Sequence, residues 1–166
     1  MSFESDVLSP PRPPSTNGLT ARPWLIRKLA THDAAIVARH RYFHAEEKSE
    51  DLDAYAAWLK SRITDGTYLG SVALVDKKIV AGAGIVLLDW GPTRGHPTPY
   101  RGRVVNVFTE PQWRLQGIAR ALVTKILADC EMRGVKQFCL GTTPAAASIY
   151  RSLGFVPYEA EMVIKG

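Results

Sequence analysis

Between residues 114 and 120 the chain reads Arg114, Leu115, Gln116, Gly117, Ile118, Ala119, Arg120. Small residues and guanidinium groups meet there just as the hydrophobic pattern changes from strand to helix. A strand is expected over 104–109 and Pro111 marks a turn. The segment 116–133 is amphipathic, with Ile118, Leu122, Ile126 and Cys130 four residues apart. A helix N-terminus leaves backbone N–H groups unpaired and carries partial positive charge. Gly117 and Ala119 keep that backbone open, so the turn can cradle a phosphate, and Arg114 and Arg120 can add charge-assisted hydrogen bonds. Other phosphate-binding loops fit poorly. No loop ends in Gly-Lys-Ser/Thr, and Gly82-Ala83-Gly84 lacks the third glycine of a dinucleotide fingerprint. Those two glycines lie in an apolar run and read as structural, serving a strand bulge or close packing.

The elements that must position this turn follow from periodicity and punctuation. Residues 1–21, rich in Pro, Ser, Thr and Gly, read as a flexible tail outside the fold, leaving a single domain over 22–166. A short strand is expected at 24–29 and a helix over 32–46 with Ile36, Val37, His40 and Phe43 on its buried face. A second helix follows from Ser49 to about residue 63. The apolar runs 68–75 and 79–88 flank Asp76-Lys77-Lys78 as a hairpin, and a Pro/Gly-rich loop covers 89–101. After the long helix, closed by Gly134, come a strand at 136–140, a short helix from Pro144 to Gly154, and one or two final strands within 155–164. This order implies an α/β fold: a mixed, mostly antiparallel sheet with helices on both faces.

Composition excludes more than it assigns. The 166 residues are 46% hydrophobic and 22% charged, the balance of one soluble globular domain. No apolar run can span a bilayer and no signal-peptide pattern opens the chain, so the cytoplasm is the default compartment. Cys130 and Cys139 belong to no metal or redox motif and read as buried thiols. A net charge of +5 is compatible with nucleic acid or with a phosphate-rich cofactor. The basic residues form no stripe interleaved with aromatics, which weighs against nucleic acid.

The hexapeptide from Arg114 to Ala119 resembles the (Arg/Gln)-x-x-Gly-x-(Gly/Ala) signature of the GNAT N-acetyltransferases. The preceding Val-Phe-Thr-Glu-Pro-Gln-Trp resembles the strand and turn that lead into it. Downstream, Ala147-Ser148-Ile149-Tyr150-Arg151-Ser152-Leu153-Gly154-Phe155 is similar to the family's helix ending in Tyr-x-x-x-Gly-Phe. One helix and one strand separate the two matches, as the family requires. The resemblance implies an acyl-CoA N-acyltransferase fold with a splayed parallel strand pair, acetyl-CoA as co-substrate, and no metal. It implies that Val107, Phe108 and Thr109 hydrogen-bond the pantetheine arm, that the amides of Leu115, Gln116, Gly117, Ile118, Ala119 and Arg120 take the pyrophosphate, and that Tyr150 is the acid for the leaving thiolate. Dimers are common in the family, so the resemblance admits a homodimer. Where many relatives carry an Asn contacting pantetheine, this chain has Thr143, and Ser148 is a further hydroxyl for the cofactor.

Several points stay open in the sequence. An ammonium acceptor with a pKa of about 10 must lose a proton before attack. Glu46, Glu47, Asp89, His96 and water are the candidate bases. Asn106 either points into the acceptor cleft as part of the catalytic apparatus or faces the other way to pair with backbone. Trp113 reads as packing in the motif turn, Trp90 as a lining residue of the acceptor side. His40 and His44 lie at helical spacing but lack a third ligand, so a half-buried helix face is the better reading. The functional alternatives are a catalytic N-acetyltransferase, a non-catalytic acyl-CoA-binding sensor or interaction module, and a nucleic-acid binder. No code for the acceptor amine is present.

Overall fold

The computed structural model describes residues 23–43 and 49–166. The expected tail over 1–21, and His44, Glu46 and Glu47 at the end of the first expected helix, lie outside the described residues. The elements run β1 (Leu25–Lys28), α1 (Ala34–Arg41), α2 (Ser49–Thr64), β2 (Tyr68–Val75), β3 (Lys78–Asp89), β4 (Tyr100–Thr109), α3 (Ile118–Glu131), β5 (Phe138–Cys139) and α4 (Ala147–Ser152). The five strands form one sheet in sequence order, antiparallel throughout except for the parallel β4–β5 pair.

Strand β2 is buried on both faces, and its alternation divides the core in two. Leu69 and Ala73 pack with Ile118, Leu122, Val123, Ile126 and Cys130 of α3. Tyr68 and Val72 pack with Ala34, Val37 and Ala38 of α1 and Ala56 and Leu59 of α2. Helices thus cover both faces, and a strand sealed on two sides reads as the continuous apolar run found in the sequence. At the edge, Asp33 is buried and accepts two bonds from Arg27 at 2.7 and 2.8 Å and one from the Ala30 N–H at 2.9 Å. These partners hold its carboxyl below the usual range despite burial, which acts in the opposite direction. The β2–β3 hairpin closes through Asp76 and Lys77, both at positive φ, as a two-residue turn of that twist requires.

Several expectations shift. The first expected helix begins as a 3-10 turn over Thr31–Asp33, and Phe43, placed on its buried face by spacing, is exposed. The long loop shrinks because Tyr100 to Arg103 pair with Val86 to Asp89. The long helix starts at Ile118, with Gly117 as its N-cap rather than in its first turn. Cys139 is only partly buried. No strand forms over 155–166, where Val156, Tyr158, Met162, Val163 and Ile164 are exposed.

Candidate active site

Two irregularities in β4 create the cleft. Between the pairs Gly82↔Phe108 and Gly84↔Val105, β3 contributes only Ala83 while β4 contributes Asn106 and Val107. This bulge places Asn106 in the left-handed region at φ +54, which Asn tolerates better than most residues. The second irregularity is that β5 pairs with β4 only at Gly102↔Phe138 and Arg103↔Cys139. Beyond that point the two chains part. A cleft of about 450 Å³ occupies the gap, lined by Val104 to Val107 on one side and by Gly141, Thr142, Thr143, Ala146 and Tyr150 on the other, with His40, Arg41 and Tyr42 at its α1 end.

The bulge turns the Asn106 side chain toward the helices. Its Nδ2 donates to the hydroxyls of Tyr55 at 2.8 Å and Tyr68 at 2.9 Å, and its Oδ1 accepts from Arg41 Nη1 at 3.3 Å. Arg41 also donates to the Tyr55 hydroxyl at 3.4 Å and lies 4.7 Å from the centroid of that ring. Burial pushes the Tyr68 phenol well above the ordinary range, so it remains a neutral partner. Room for this phenol comes from Gly84, where a Cβ would overlap the Tyr68 hydroxyl. The two glycines of the Gly-Ala-Gly run are therefore structural: one flanks the bulge and the other accommodates a ring.

Tyr150 is 8% exposed, lines the cleft, and packs edge-on against Phe155 at 6.0 Å. Its hydroxyl makes no hydrogen bond among the described residues, and burial raises its pKa, so it holds its proton near neutrality. His40 stacks on Phe108 at 4.4 Å. Its Nδ1 is buried without a partner among the described residues, and desolvation lowers its pKa to about 4. The imidazole is thus neutral, and a weak base.

At the far end of β4 the chain turns through Pro111–Trp113 into α3. Leu115 is fully exposed at φ +61, and Gly117 sits at φ +77 with open space where a Cβ would lie. No side chain caps α3, and the N–H groups of Leu115, Gln116 and Gly117 have no partner among the described residues. The first three helical amides are free by construction. Arg114 is tied back to the Thr109 carbonyl at 3.0 Å, and Thr109 Oγ1 is buried without a partner among the described residues. Trp113 packs against the core. This is the open, donor-rich surface a diphosphate needs.

The structure brings together Tyr150, Asn106, Val107 and Thr143 around one cleft. Gln116, Gly117 and Arg120 line a separate groove on α3 with Trp24 and Lys125. Ser148 is exposed and does not line the cleft, nor do Asp89 and His96. Asp89 instead accepts from the Gly91 N–H at 3.3 Å, and His96 pairs with Thr93 in a turn. Trp90 is exposed under the Arg101 guanidinium, away from the cleft. The sequence reading missed Arg41, Tyr55 and Tyr68, and no local signal marks them.

The family model described as an acetyltransferase (GNAT) domain matches residues 41–166. The chain belongs to that family. Solved structures agree on the fold. A GCN5-related N-acetyltransferase of Ralstonia eutropha JMP134 superposes with a TM-score of 0.74 at 29% identity, over 86% of this chain and 97% of that one. A Clostridium acetobutylicum protein described as an acetyltransferase and crystallised with acetyl-CoA gives 0.78 at 20% identity, over 86% and 96%. Glucosamine-6-phosphate N-acetyltransferase of Arabidopsis thaliana gives 0.67 at 15%, over 86% and 97%. The mixed sheet with its parted parallel pair is the GNAT fold. No helix of the described residues is long and apolar enough to cross a membrane.

Proposed function

We propose that this GNAT domain transfers an acetyl group from acetyl-CoA to a primary amine of a small molecule or protein by direct attack. What carries the reading is the Tyr150 phenol, protonated and without a hydrogen-bond partner among the described residues, in the gap where β4 and β5 part. The unpaired amides at the start of α3 suit the pyrophosphate, and the edge of β4 at Val107, Phe108 and Thr109 suits the pantetheine arm. Thr143, on the cleft wall, is available to that arm in place of the Asn common in relatives. Ser148, being exposed, is assigned a contact only with the outer part of the cofactor. A backbone N–H of the bulged strand polarises the thioester carbonyl. The amine, having lost its ammonium proton to water, bonds through nitrogen to the carbonyl carbon, the C–S bond breaks, the departing sulfur takes the Tyr150 proton, and the proton shed by the nitrogen returns through water to the Tyr150 phenolate. Asn106, with its amide engaged by two phenols and a guanidinium, serves as a positioning residue that fixes the bulge.

A second reading is favoured by one observation: no Asp or Glu is among the described residues lining the cleft. Without a base, the domain would bind acyl-CoA and catalyse nothing. Thiol release from acetyl-CoA across an amine panel separates the two, with acetyl-CoA affinity measured alongside. Tyr150→Phe is expected to lower kcat tenfold or more with cofactor affinity retained. Turnover unaffected by that change would remove Tyr150 from the mechanism, whereas turnover absent with every amine despite tight acetyl-CoA binding would favour the binding module.

A further inference from the structure

At the α1 end of the cleft, Arg41 has no acidic partner among the described residues. Arg41 is exposed, its Nη1 donates to the neutral oxygens of Tyr55 and Asn106, and the Tyr42 phenol is a further neutral partner. These bonds orient the guanidinium and offset none of its charge. No carboxylate pairs with Arg41 among the described residues. His40, next to it on the cleft wall, is neutral. On the opposite wall Arg103 brings its Nη2 within 3.8 Å of where a Cβ of Gly141 would lie, and it too has no ion pair among the described residues. The described lining residues therefore include one guanidinium, with a second beside them, and no acid.

The cofactor's phosphates do not account for Arg41. It contacts residue 106, whereas the phosphate turn begins only after Thr109 and the Pro111–Trp113 segment. The β4 segment alone separates the two by about 10 Å at roughly 3.3 Å per residue. The group that meets Arg41 therefore belongs to the acceptor side. A fixed guanidinium fork is suited to a carboxylate or phosphate, which it can hold through two parallel bonds. A polycationic acceptor would meet like charge there and no carboxylate among the described lining residues.

We propose that Arg41 selects an acceptor whose amine lies close to an anionic group, a carboxylate or a phosphate. This rests on the acetyl-transfer reading above and names the substrate class for it. The bland competitor is structural: Arg41 sits in the last turn of α1, where a cation suits the helix dipole, and it ties α1 to α2 and β4. A structural role alone would not produce a preference between an acid and its amide.

The test compares matched acceptors: free L-amino acids against their carboxamides, amino-sugar 6-phosphates against the parent amino sugars, and an aminoglycoside as polycation. Each is tried with wild type, Arg41→Gln and Arg41→Lys by thiol release, and by calorimetry on protein saturated with CoA. The expected result is at least a tenfold preference in kcat/KM for one anionic member over its neutral partner. Arg41→Gln abolishes that preference with acetyl-CoA affinity unchanged, and Arg41→Lys retains part of it. The amino-acid and phosphate arms decide which anion is read. Equal use of acid and amide, or a preference that survives in Arg41→Gln, overturns the proposal. Selective anion binding lost in Arg41→Gln but without turnover would keep the site and sink the transferase reading. Turnover of only neutral or polycationic amines would do the reverse. Absence of both selective binding and turnover would sink both.

Discussion

The turn at 114–120 and the cluster around Asn106 both follow from the geometry of β4, yet they are built from different materials. The turn is exposed backbone: uncapped amides, a left-handed glycine with open space beside it, and arginines at its flanks. The cluster is side chain: two phenols, a carboxamide and a guanidinium drawn from α1, α2, β2 and β4 and closed upon one another. A surface of backbone donors suits any ligand with the same phosphates and binds it without regard to the rest. A cluster of side chains can be exchanged residue by residue, so what it recognises can change while the turn stays as it is. The two regions should therefore fail independently when mutated.

Gly84→Ala is the strongest way to break that independence. Its methyl would overlap the Tyr68 hydroxyl, and β2 and β4 are bonded to β3 on either side of it, so the ring must leave its place. We expect about 3 kcal/mol of lost stability, the upper part of the range for overpacking a core, measured by urea denaturation. The protein that remains folded should bind acetyl-CoA normally. A parallel loss of cofactor affinity would show that the cluster and the turn are one unit.

Gly117→Glu is the reciprocal change. It places a carboxylate where the pyrophosphate is expected and should weaken acetyl-CoA binding about 100-fold, or ~2.7 kcal/mol. Because Gly117 sits at φ +77, any side chain there also costs about 1 kcal/mol of stability. Gly117→Ala measures that backbone cost separately. Undiminished affinity in the Glu variant, read by calorimetry, would mean that the phosphate site lies elsewhere.

The same contrast decides what the sequence could disclose. The turn is seven consecutive residues whose function depends on backbone access, so residue types in order suffice to reveal it. A second local match points to Tyr150, which lines the cleft. The cluster could not be found this way: Arg41 and Tyr55 are 14 positions apart, Tyr68 and Asn106 are 38, and Arg41 and Asn106 are 65. Asn106 stands out by type on an apolar strand, but its direction depends on a bulge created by pairing with β3, which no window of β4 encodes. The misplaced borders have a related cause. Tyr100 to Arg103 look like loop because Arg-Gly-Arg is polar, yet they are strand because Val86 to Asp89 lie beside them. The segment 155–164 looks like strand but pairs with no strand among the described residues, and a strand exists only through a neighbour.

His40 is where the two regions meet, and it yields the smallest effect. Its ring stacks on Phe108 of β4, and its chain neighbour Arg41 belongs to the cluster around Asn106. Burial and the nearby Arg39 lower its pKa from 6.5 to about 4. The unfolded chain therefore takes up a proton at a pH where the folded protein does not. Stability is fully present above pH 6.5 and declines as pH falls from 6.5 toward 4. Partial solvent exposure of the ring holds the loss to about 1 kcal/mol. Asp33, whose pKa is lowered from 3.8, contributes a separate loss only at more acidic pH. His40→Phe keeps the stacking and removes the titration, so it should flatten the stability profile between pH 6.5 and 4 in denaturant titrations. A slope unchanged by that substitution would mean that the imidazole is not desolvated. His40 would then add a positive charge to Arg41 at mildly acidic pH, and the cleft would be more cationic than its neutral ring allows.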